Sequence, residues 1–163
     1  MGVSVRAALP AEYDAIGALT LHAYSLDGLL DDDSEYARDL RDAARRATHA
    51  DLLVAVDENH AVVGTVTFCL PGSPYAELSR DGQAEFRMLA VDVTARSQGI
   101  GEKLVRACLD RAEEKGCTSV VISTRPQMVS AHRLYQRLLF ERTPELDWEP
   151  VPGIDLITYA RKL

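Results

Sequence analysis

Six residues, Arg96-Ser97-Gln98-Gly99-Ile100-Gly101, carry the sharpest chemical signal in this chain. They follow a run from Glu85 to Val91 that reads as a strand. They open a segment in which Ile100, Leu104, Cys108 and Ala112 recur at helical spacing. Two glycines one residue apart let the backbone turn tightly and expose successive amide N–H groups. Together with a helix N-terminus, those amides make a positive cradle for phosphate oxygens. Arg96 and Lys103 could add charge-assisted contacts. There is no Gly-Lys-Ser/Thr ending, as a triphosphate loop needs, and no third glycine, as the dinucleotide fingerprint needs. A glycine-rich turn with no ligand is the alternative that spacing alone leaves open.

Other reactive types offer less. His22, His49, His60 and His132 are scattered, with no helical pair and no cysteine at ligand spacing, so no metal site is expected. Ser123 and Ser130 lack the GxSxG context of a hydrolase elbow. Cys69, Cys108 and Cys117 are an odd number with no CxxC pair, which fits a reducing cytoplasm better than a disulfide framework. The 163 residues include 18 Lys plus Arg against 25 Asp plus Glu, a formal charge of −7, which argues against nonspecific nucleic-acid binding. No apolar run approaches the roughly 18–20 residues of a membrane span. The first residues do not read as a secretory leader.

The elements that must position the glycine pair follow from periodicity. A weak strand at Val3, Val5 and Ala7 precedes a helix over about 10–23, opened by Pro10. A second helix carries Asp31, Asp32, Asp33 and Glu35 at its start and Arg45 and Arg46 at its end, which suits the helix dipole. Its buried stripe is Tyr36, Leu40, Ala43 and Ala47, and the charged residues are expected on a solvated face. Leu52 to Val56 and Val62 to Phe68 form a hairpin, 71–82 a loop, and Glu85 to Val91 the strand before the cradle. After the long helix come Gly116 as its stop, a strand at Val120 to Ser123, and a helix with Ala131, Leu134, Tyr135, Leu138 and Leu139 on its apolar stripe. Ile154 to Ala160 is a further strand, and one more is placed in 140–148. One domain, 1–163, with a mixed sheet and helices on its faces is expected.

The stretch Glu85 to Asp92, then Arg96 to Val105, resembles the acyl-CoA-binding motif of the GNAT superfamily of N-acetyltransferases. The later run Ser130-Ala131-His132-Arg133-Leu134-Tyr135-Gln136-Arg137-Leu138-Leu139-Phe140 is similar to that family's second cofactor motif. The resemblance spans nearly the whole chain. It implies an α/β (α+β) fold with a mostly antiparallel sheet of six to seven strands and about four helices, ordered β-α-α-β-β-β-α-β-α-β-β. It also implies acetyl-CoA as co-substrate. The pyrophosphate would sit on the amides of Ser97, Gln98, Gly99, Ile100, Gly101 and Glu102, beside Arg96, and the pantetheine arm along Leu89, Ala90 and Val91. A backbone N–H at Leu89 or Val91 would hold the oxyanion.

By the same resemblance, Tyr135 is the acid that protonates the leaving thiolate, and Glu85 a general base acting through water. His132 is placed near CoA. Met128 stands where many members carry Asn, and Leu139 where many carry Gly. The implied activity is N-acetyl transfer to a small-molecule, peptide or protein amine by direct attack. A catalytically silent CoA-binding module and a transferase for another acyl-CoA are the alternatives; a homodimer is compatible with either. On the acceptor side the family position corresponds to Tyr24, Asp31 to Asp33, Tyr36, Tyr75, Glu77 and Trp148, an acidic and aromatic set suited to a cationic amine.

Overall fold

Alternating and continuous apolar runs set the strands, and their burial shows which faces are covered. The computed structural model describes residues 2–28 and 35–163. Strand β1 (Ser4–Ala7) is followed by a single 3-10 turn over Pro10–Glu12 and then helix α1 (Tyr13–Leu26). Helices α2 (Glu35–Arg41) and α3 (Ala43–His49) come next, then β2 (Asp51–Val56), β3 (Val62–Cys69) and β4 (Gln83–Val91). Helix α4 (Ile100–Glu114), β5 (Ser119–Thr124) and α5 (Val129–Arg137) form the middle crossover. The chain closes with β6 (Glu141–Arg142), β7 (Trp148–Val151) and β8 (Ile154–Lys162).

The expected second helix is two. Asp42 leaves helical geometry at φ −89°, ψ 72° and its side chain accepts from the Arg45 N–H, capping α3. Arg46, expected on a solvated face, is 0 % exposed instead. Its Nη1 donates to the carbonyls of Asp39 and Leu40 at 2.8 and 2.7 Å, satisfying the end of α2. The acidic run Asp31 to Asp33 lies outside the described residues. The strand expected in 140–148 is replaced by the short β6 and by β7, which turns into β8 through Pro152 and Gly153.

The strands join one sheet in the order β1-β2-β3-β4-β5-β8-β6, with β7 also on β8. Strand β2 shows why its sequence is apolar throughout. Leu53 and Ala55 face the core under α4 and α5, whereas Leu52, Val54 and Val56 face Ile16 and Ala43 of α1 and α3. Both faces are covered, so the alternation of a half-exposed strand disappears.

Two irregularities in the middle of the sheet create the site. Between the pairs Thr65–Ala90 and Thr67–Arg87, β4 has one residue more than β3. This is a β-bulge, and Met88 takes it up with a left-handed φ of 57° although 4 % exposed. The second irregularity is on the other edge of β4. It pairs with β5 in parallel through Gln83–Ser119, Ala84–Val120 and Glu85–Val121, and the pairing ends there. Beyond it, β4 continues along β3 and β5 along β8. The sheet therefore opens into a wedge at the C-terminal ends of β4 and β5.

Candidate active site

The wedge leads into a cleft of about 640 Å³, within the usual size range of ligand pockets. Leu89, Ala90 and Val91 form one side, and Ala131, Leu134 and Arg137 of α5 the other. At the mouth lie Arg96, Ser97, Gly99, Ile100, Gly101 and Glu102. Tyr24 of α1 also lines the cleft. The cradle read from the glycine pair and the strand read as its neighbour thus share one cavity.

The mouth is built by backbone conformation. Ser97 and Gly99 both adopt left-handed φ values, 69° and 76°, which turn the chain back on itself before α4. Glycine accepts that geometry freely, and no neighbouring atom would meet a Cβ at position 99. Gly101 stands close to the facing helix: a Cβ there would lie 3.3 Å from Leu134 Cδ2, tighter than an ordinary contact. The first intrahelical bond is Lys103 N–H to Gly99 O at 3.1 Å, so the N–H groups of Ile100, Gly101 and Glu102 precede the ladder and face the mouth end of the helix. These features fit a phosphate group.

Of the two cations expected there, Arg96 lines the mouth and Lys103 does not. Lys103 donates to Val3 O at 3.0 Å and is turned from the mouth. Arg96 forms an ion pair with Asp27 at the C-terminal end of α1, at 3.2 Å. Arg133 and Arg137, one turn apart on α5, line the cleft as well. The sequence reading passed over both; their i, i+4 spacing beside Ala131 and Leu134 was the available signal.

Gln98, Tyr135, Glu85 and His132 are not among the lining residues. His132 lies on the far side of α5, with its ring 5.6 Å from that of Tyr159. Its Nε2 donates to Arg125 O at 3.0 Å, and burial holds its pKa below the usual imidazole value. His132, expected near the cofactor, thus lies outside the lining of this cleft. The face of α5 that meets the cleft carries Ser130, Arg133, Leu134 and Arg137. Met128, where the family carries Asn, lines the cleft with its sulfur accepting from Thr124 Oγ1 at 3.6 Å.

Tyr135 is 5 % exposed and lies in an aromatic cluster with Phe86, Phe140 and Tyr159, all at ring distances near 6 Å. Burial raises its pKa, so the phenol keeps its proton.

Glu85, 0 % exposed, accepts three backbone N–H groups on Oε1, from Glu77 at 3.0 Å, Leu78 at 2.9 Å and Ser79 at 3.0 Å. Two residues on, Arg87 pairs with Glu77 at 3.0 Å and donates to Tyr75 O at 3.1 Å. Arg87 also acts on the phenols of Tyr24 and Tyr36, whose rings meet edge to face at 6.1 Å. Burial pushes the Glu77 carboxyl above its ordinary range, against the pull of Arg87. Of the acidic and aromatic set expected on the acceptor side, Glu77 is thus paired with a cation, Arg87, among the described residues. Tyr75 is buried at 3 % exposure, with its hydroxyl accepting from Arg45 at 3.0 Å. Trp148 donates to Ser123 Oγ at 3.1 Å. Among the described residues no group of His, Cys, Asp and Glu is arranged to hold a metal, and no helix is long and apolar enough to cross a membrane.

Similar proteins share this architecture. Residues 15–140 match the model of the acetyltransferase (GNAT) family. An uncharacterized N-acetyltransferase of Schizosaccharomyces pombe is 29% identical over 65% of this chain and 61% of its own, so the chain spans less than two thirds of that relative. An acetyltransferase of the GNAT family from Staphylococcus aureus superposes with a TM-score of 0.78 at 17% identity, covering 99% of both chains. A Salmonella typhimurium protein solved with acetyl-CoA as its cofactor superposes with a TM-score of 0.67 at 23% identity, covering 100% of this chain and 95% of its own.

Proposed function

The chain belongs to the GNAT family of acetyltransferases, and from that premise we propose that it moves an acetyl group from acetyl-CoA to a primary amine by direct attack in a ternary complex. One observation carries the reading: a single cleft joins the amides at the start of α4 to the freed edge of β4 at Leu89 to Val91. The first end suits a pyrophosphate and the second an extended amide-bearing arm. Bound there, acetyl-CoA supplies the thioester carbon that the amine attacks.

The protein's own groups do the rest. A β4 backbone N–H at Leu89 or Val91, freed from β5, donates to the developing oxyanion. Tyr135 gives its proton to the departing sulfur. A phenol is a weaker acid than a thiol in water, near pKa 10 against about 8.5, so transfer in water would run uphill. Burial raises the Cys69 thiol to about 12 and pushes the Tyr135 phenol up as well, so desolvation leaves that order unchanged and the transfer relies on the hydroxyl being positioned at the departing sulfur.

A second reading has its own support. Neither Tyr135 nor Glu85 lines the cleft, as suits a module that binds CoA without turning it over. Calorimetric titration with acetyl-CoA, followed by thiol release over a panel of spermidine, an aminoglycoside, free amino acids and a short peptide, separates the two. Binding with thiol release supports transfer, and binding alone supports the silent module. A folded protein that binds no acetyl-CoA rejects both.

A further inference from the structure

We propose that Glu85 is a positioning residue that holds the acceptor-side wall in place, and that it does not take the proton from the acceptor amine. The proposal rests on the acetyltransferase reading for its meaning but on hydrogen-bond geometry for its support. Three consecutive N–H groups, from Glu77, Leu78 and Ser79, converge on one oxygen of a side chain with no exposed surface. Three consecutive amides turned toward one point form an anion-binding concavity, here filled by the protein's own carboxylate. The other oxygen, Oε2, is also buried and has no hydrogen-bond partner.

Strand geometry explains why this anchor matters to the site. Side chains two apart on a strand share a face, so Glu85 and Arg87 both meet the segment 75–79. Glu85 holds its N–H groups, while Arg87 holds the Tyr75 carbonyl and the Glu77 carboxylate. The next residue, Met88, makes the bulge that frees Leu89 to Val91 for the cleft. Segment 75–79 and the edge that faces the cleft are thereby fixed to one strand within a few residues.

A general base must reach the proton directly or through one water. Glu85 does not line the cleft, its Oε1 is taken by three amides, and its Oε2 is buried with no exposed surface. Its job is to hold segment 77–79 against β4.

Two substitutions test this. Glu85→Gln keeps an oxygen that accepts the three amides and removes the base; Glu85→Ala removes both. Amide hydrogen exchange at Leu78 and Ser79 should be near the wild-type rate in the Gln variant and at least about ten-fold faster in the Ala variant, since a buried amide that loses its acceptor opens to solvent. With the amine that wild type turns over fastest in the panel, Glu85→Gln should keep kcat within about three-fold and leave the acidic limb of the pH profile in place. Glu85→Ala should raise the KM for that amine about ten-fold without changing the KM for acetyl-CoA. A folded Glu85→Gln protein with a protected loop, a kcat down about 100-fold and the acidic limb gone would restore Glu85 as the base. Unchanged exchange in Glu85→Ala would remove the anchor. Exchange needs no turnover, so if wild type acetylates no amine the transfer reading fails while the anchor is still decided.

Discussion

The two halves of β4 serve the site in opposite ways. From Leu89 to Val91 the strand offers peptide groups to the cleft, and the turn that completes this half, 96–102, is made of left-handed backbone and glycine. From Glu85 to Arg87 it offers charged side chains, buried and bonded to a loop with no regular structure. Met88 divides the halves. A backbone site recognises what all members of a class share, such as phosphate and amide. A side-chain site recognises what distinguishes one ligand from another. On the proposed function, the cofactor half is therefore the general one and the acceptor half the particular one.

The largest expected effect breaks the general half alone. Gly101→Glu places a side chain against Leu134 and a carboxylate among amides arranged for phosphate. Acetyl-CoA binding by calorimetry should fall by at least about 100-fold, with the far-ultraviolet circular dichroism of wild type retained. Tyr135→Phe comes next and acts at the meeting of the halves. It keeps the ring contacts with Phe86 and Phe140 and deletes the hydroxyl. Single-turnover thiol release should slow by roughly 10²-fold with acetyl-CoA affinity unchanged.

Arg87→Met breaks the particular half. It leaves Glu77 partly buried without its cation and Tyr75 O without its donor, which should cost about 2 kcal/mol in urea unfolding. Acetyl-CoA affinity should be retained. A loss of cofactor binding equal to that of Gly101→Glu would show that the two halves are not separable.

Two smaller effects lie off the strand and act as controls. Asp147 accepts from Arg142 and from Thr158, and the Arg142 bond first of all holds its pKa at about 2, below the ordinary 3.8. A carboxylate depressed in the folded state stabilises it above the unfolded pKa, and that contribution is lost as pH falls from about 4 toward 2. Asp147→Asn should flatten the acid limb of a stability profile in that window and leave acetyl-CoA binding at pH 7 unchanged. The smallest change is Leu139→Gly. Leu139 has a φ of 67° and is 70 % exposed, so glycine relieves the conformation and loses little packing. Thermal unfolding should show a gain of about 0.5–1 kcal/mol.

The legibility of the sequence divides along the same line. The glycine pair was readable because a tight strand-to-helix turn restricts residue type locally. The continuous apolar run of β2 was readable because a strand covered on both faces admits few polar residues. The break at Asp42 was not, because an acid inside a helical pattern reads as surface until its cap to Arg45 and the burial of Arg46 are seen. Glu85 stood out in the sequence, but its partners come from an irregular loop whose fold no spacing announces. Arg87, beside it, gave no signal at all.

The ion pair between Arg96 and Asp27 makes anion capture at the cleft mouth an exchange of counter-ions. A phosphate that takes Arg96 must evict a carboxylate, and the number of paired charges there stays the same. The pair is about two-fifths exposed, so the eviction costs no more than about 1 kcal/mol. That is enough to disfavour a lone inorganic anion by up to roughly five-fold. A ligand that also grips the amides at 97–102 outweighs the cost. On the proposed function, the resting carboxylate sets a low threshold that chelating anions pass more readily than simple ones.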